Sequence, residues 1–90
     1  MSHTFEELVA KQRAADEAHT RVEHLREMYG PPAQVRWTAL QSETYETAVR
    51  AWRDLARDLQ AALADYAHTT GRPRPDVESE VARAACPDGG

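Results

Sequence analysis

Two Asp-x-x-His steps are the residues of this chain best spaced for chemistry: Asp16 with His19, and Asp65 with His68. On a helix, a carboxylate three residues before an imidazole shares its face, the arrangement that carboxylate-bridged metal bundles use. His3 adds a further imidazole near the N-terminus. A metal would then bind either between the two steps of an assembled bundle, or where His3, Asp65 and His68 meet at the open end of a hairpin, as a surface site for zinc or nickel. Register opposes the first arrangement: in an antiparallel hairpin turning near Ala33, Asp16 lies level with Arg50, not Asp65. Asp16 and His68 also point away from the apolar seams described below. Solvated surface side chains are the expectation for all five, and no cofactor is expected.

Other chemistry is harder to assemble. His19 and His24 are five apart and do not share a helix face. His24 and Glu27 do, as a modest surface pair. No hydroxyl nucleophile has a visible base and orienting acid, and no glycine-rich phosphate loop occurs. The chain is therefore not expected to be an enzyme.

The elements that would position these residues are helices. Thr4 and Glu7 form a T-x-x-E capping box, which starts a first helix at Thr4. Leu8, Ala15, Ala18, Val22, Leu25 and Tyr29 follow on one side, flanked by Phe5 and Met28. Glu17 and Arg21 are spaced for an i,i+4 pair. Gly30-Pro31-Pro32 ends this helix, Gly by suiting a left-handed cap and Pro by lacking the amide. The next helix begins either near Ala33, with Pro32 at its first position, or at Thr38, where Thr38 and Gln41 make a second capping box. It runs to about Thr69, closed by Gly71 and Pro73. At ~1.5 Å per residue the two helices are roughly 38 and 48 Å long.

The second helix carries the clearest pattern in the chain. Tyr45, Ala48, Trp52, Leu55, Leu59, Ala62 and Tyr66 recur at alternating spacings of three and four, a narrow seam of the kind that packs on another helix. Beside it Val49, Ala56 and Leu63 form a second line, seven apart. One partner helix covers one seam, so two adjacent lines imply two neighbours, and the second neighbour is expected to come from another copy. Glu46 and Arg50 are spaced for a further ion pair on the outer face. Residues 71–75, Gly-Arg-Pro-Arg-Pro, read as a stiff linker. Asp76 then caps a short helix over 76–85 carrying Val77, Val81 and Ala85, and residues 86–90 read as a disordered tail.

Composition bounds the function. Ninety residues with 41% hydrophobic content make one small domain, and domains this size often gain stability by oligomerising. A net charge of −4 disfavours binding to nucleic acid through phosphate neutralisation. Lys11 is the only lysine beside ten arginines, and alanine is abundant, a bias that points to a GC-rich bacterial genome. Cys86 is alone, so no internal disulfide forms. Glu6 and Glu7 stand where a signal peptide would carry basic charge, and no run is long enough to span a membrane. A cytoplasmic location is expected.

The expectation is thus an all-α hairpin over residues 1–70 with a short C-terminal helix, dimerising into a four-helix bundle. It would be a non-enzymatic interaction module, an adaptor, regulator or accessory subunit. Its seam residues Tyr45, Trp52, Leu55, Leu59 and Tyr66, with Trp37 near the turn, would engage a second copy or another helical protein. Trp37 either caps the hairpin end or stands as an exposed anchor. Two alternatives remain: a ferritin-like metal bundle using the Asp/His pairs, and a dimeric DNA-associated regulator touching phosphate through Arg72 and Arg74.

Overall fold

The computed structural model describes residues 3–86, and among them every regular element is helical. Helix α1 spans Phe5–Tyr29, α2 spans Ala39–Thr70 and α3 spans Arg74–Ala85. The molecule is elongated, with principal extents of 49 × 27 × 18 Å. No helix among the described residues is long and apolar enough to cross a membrane.

Capping fixes the helix ends. At α2, Thr38 Oγ1 accepts from the Gln41 amide at 3.0 Å while Gln41 Oε1 accepts from the Thr38 amide at 2.9 Å. That full capping box selects Thr38 over Ala33 as the start, and residues 31–38 stay outside the helix as a short turn followed by an extended approach to Thr38. At α1 only half of the expected box forms. Thr4 Oγ1 accepts from the Glu7 amide at 3.1 Å, but the Glu7 carboxylate turns to the His3 ring, 3.3 Å away. Gly71 ends α2 in the left-handed conformation, φ 67° and ψ 26°. Gly30 ends α1 at φ 80° and ψ 169°, a region other residues rarely enter, and a Cβ there would lie 3.0 Å from Val35 Cγ2.

The third helix starts earlier than its sequence suggests. Arg74 and Pro75 belong to its first turn, not to a linker, with Pro73 as N-cap. A proline is tolerated there because first-turn amides have no intrahelical acceptor to lose. Cys86 is the C-cap of α3, half-buried, with its amide donating to Arg83 O at 3.3 Å. The remainder of the expected tail, 87–90, lies outside the described residues.

Packing divides the hairpin lengthwise into two ends. At one, α1, α2 and α3 together bury Leu8, Ala15, Leu59, Ala62, Leu63, Ala67, Val77 and Val81, with Phe5, Val9 and Tyr66 half-buried against them. At the other, nearer the turn, only α1 and α2 meet. Val22, Leu25 and Ala48 form a smaller core flanked by half-buried Tyr29, Tyr45, Val49 and Trp52. The second neighbour required by the Val49–Ala56–Leu63 line is, at Leu63, α3 of the same chain. The seam spacing alone points to a second copy in that role; a short amphipathic helix of the chain itself fills it, but only along half of α2.

Candidate functional site

The aromatic residues are placed mainly by the chain's own core. Trp37 caps the hairpin: its Nε1 donates to Gly30 O at 2.9 Å. Its ring packs edge-on between Tyr29, 5.3 Å away, and Tyr45, 5.0 Å away. Of its two expected roles the structure shows the cap. Trp52 is half-buried and lies against His19, with ring centroids 4.8 Å apart. Tyr66 is half-buried at the three-helix end. Leu59, expected to face a partner, is only 4% exposed and sits in the internal core, so it offers an outside protein nothing. Of the aliphatic seam residues, Leu55 alone is open, at 36% exposure.

The Asp-x-x-His steps do not come together. His19 Nδ1 pairs with Glu23 Oε1 at 3.2 Å, while Asp16 Oδ1 accepts from Gln12 Nε2 at 3.0 Å. His3 does approach the far end of α2, with Nε2 3.9 Å from Asp65 Oδ2, but its second neighbour is Glu7 rather than His68. Among the described residues no group of three or more His, Cys, Asp or Glu is arranged to hold a metal ion. The expected Glu17–Arg21 and Glu46–Arg50 pairs do not form; the ion pair joining α1 to α2 is Lys11 with Asp58, alongside the His3–Asp65 approach. Arg72 and Arg74, the residues a phosphate backbone would need, are engaged within the chain. Arg72 pairs with Glu80, and Arg74 with Glu78 and Gln60.

One surface was not singled out by the sequence. Leu40 is 71% exposed in the first turn of α2 and lines a shallow concavity of about 360 Å³. Ala18 and Arg21 of α1 and Glu43, Thr44, Thr47, Ala48 and Ala51 of α2 complete its walls. It opens at the two-helix end. Val49 and Ala56 continue the line of Leu63 toward α3's flank of α2. Thr47, two residues from Val49, is turned ~200° away, so this concavity lies on the opposite flank. Leu55, one turn beyond Ala51, extends the same surface. The signal was present as Leu40-Thr44-Thr47-Ala51-Leu55 at spacings of four, three, four and four, but the aromatic seam beside it dominates the pattern. No constellation of nucleophile, base and orienting acid accompanies it.

Comparison with protein-family models, with curated proteins and with solved structures finds no match to this chain.

Proposed function

We propose that the chain is a small non-enzymatic interaction module that binds a helical partner through α2 at its two-helix end. The observation that carries this is the exposure of Leu40 and Leu55 on one flank of α2, where Leu40 lines a concavity floored by small alanine and threonine side chains and edged by Arg21 and Glu43, and Leu55 lies just beyond it. Burying a fully exposed leucine contributes about 1.5–3 kcal/mol, of which Leu40 at 71% exposure retains the larger part and Leu55 at 36% the smaller. The seam aromatics act indirectly in this reading. Trp37, Tyr45 and Tyr29 fix the turn, and Trp52 fixes α1 against α2, so the binding flank is held rigid. The bacterial and cytoplasmic setting expected from composition is part of the same proposal.

The test is quantitative capture from a bacterial lysate by the wild-type chain and by the double variant Leu40→Glu/Leu55→Glu. Both substituted positions are exposed, so far-UV circular dichroism should show unchanged helix content. The proposal expects at least one protein, a copy of the chain included, to be retained by the wild type and depleted by about tenfold or more on the variant. Identical retained sets would overturn it.

A further inference from the structure

The exposed flank of α2 reads nearly the same from either end. Leu40 and Leu55 stand at its extremes, Thr44 and Ala51 inside them, and Thr47 at the centre. Leu40 with Leu55 and Thr44 with Ala51 share a midpoint between residues 47 and 48. A pair of opposite charges lies close to this centre, one residue earlier: Glu43 and Arg50 are centred between 46 and 47, Glu43 at the wall of the concavity and Arg50 beyond it on the outer face of α2. Among the described residues neither makes an ion pair.

We infer that the occupant of this flank is a second copy of the chain, paired α2 to α2 antiparallel about a two-fold axis near Thr47. This deepens the interaction reading above and rests on it. A two-fold interface must be self-complementary: whatever residue i meets, the symmetric contact repeats it. Antiparallel pairing about Thr47 sets Leu40 of each copy against Leu55 of the other, closing both ends of the contact with apolar side chains. It sets Glu43 of each copy beside Arg50 of the other, giving two equivalent ion pairs at the rim, where such pairs fix register more than affinity. The small Thr44, Thr47 and Ala51 in the middle let the helix axes approach to the near end of the ~8–10 Å range. A parallel pairing would place Glu43 beside Glu43 and Arg50 beside Arg50, so charge selects the antiparallel orientation. Helix α3, on the opposite flank, stays clear of the contact.

The test uses the full chain. Sedimentation equilibrium over a dilution series is expected to show a monomer–dimer equilibrium. Leu40→Glu, which places a carboxylate at both ends of the contact, is expected to raise the dissociation constant about a hundredfold. Cysteine placement then reads the axis. In a Cys86→Ser background, Thr47→Cys meets its own copy across the two-fold and is expected to form an intermolecular disulfide under mild oxidation. Arg53→Cys, on the other side of α2, is expected to stay reduced. Equal crosslinking at 47 and 53, or a dimer indifferent to Leu40→Glu, would overturn the inference. A monomer at every concentration would overturn it as well, while leaving capture of a different protein by the Leu40/Leu55 flank as a separate result.

Discussion

At the end where α3 docks, Leu8, Val77 and Val81 are 0% exposed and Leu63 is 2% exposed. At the turn end, the same two long helices have only each other. Their core residues Val22, Leu25 and Ala48 retain 6–7% exposure, and bulky Tyr45, Trp52 and Val49 are left half-covered around them. Two helices present two convex surfaces, and their line of contact shelters small residues while leaving the flanking ones open. A third helix closes one flank with residues as slight as valine and alanine, because position in the groove matters more than bulk. The turn end compensates with aromatic area and with the Trp37–Gly30 hydrogen bond.

The sharpest way to break this comparison is to truncate an equivalent residue at each end. Leu63 and Val49 lie on one line of α2, seven-residue steps apart, but Leu63 is sealed under α3 and Val49 is half-buried. Leu63→Ala should cost about 3–4 kcal/mol, the removed methyl groups plus the cavity left behind. Val49→Ala should cost below about 1 kcal/mol. Urea unfolding followed by circular dichroism measures both, provided the slope with denaturant is unchanged. Equal losses would mean that the two ends are equally packed and that α3 adds no layer.

At the turn end the weak point is backbone rather than core. Gly30, at φ 80° and ψ 169° with Val35 directly above it, should resist any side chain. Gly30→Ala is expected to cost about 1–3 kcal/mol, because the strained backbone and the 3.0 Å contact with Val35 add together. Gly71, with nothing within 4 Å of its would-be Cβ, isolates the backbone part. Gly71→Ala should therefore cost less, about 1 kcal/mol. If Gly71→Ala proved the costlier, the turn would be more yielding than the Trp37–Gly30 contact implies.

The same contrast explains what the sequence reveals. The hairpin is legible because Thr38-x-x-Gln41, Gly30-Pro31-Pro32 and the seam are local signals, each readable within a few residues. The short third helix is legible as an element from Val77, Val81 and Ala85. Its docking is not, because a line of apolar residues on α2 records that something covers it and not which helix does. Leu59 reads as a partner contact in the sequence but lies in the internal core for this reason: seam periodicity is identical whether the covering helix belongs to the chain or to a partner. Leu40 does not stand out in the sequence because it lies outside the aromatic seam, and only its exposure in the folded chain marks it out.

The smallest expected effect concerns how α3 is held. Arg72 pairs with Glu80 across the α2–α3 junction, yet the two side chains remain 38% and 43% exposed. Water screens such a pair, and ordering two long side chains offsets much of the attraction, so its net contribution should stay below about 1 kcal/mol. Arg72→Ala should therefore lower stability by less than that at low salt and by less still near 1 M salt, where the screening length falls to about 3 Å. Salt titration of the unfolding midpoint of wild type and variant separates this charge effect from lost packing of the arginine stem, which salt does not remove. A loss of several kcal/mol that vanished in salt would make α3 an electrostatically clamped element. The three-helix end would then differ from the turn end by charge rather than by the burial of Val77, Val81 and Leu63.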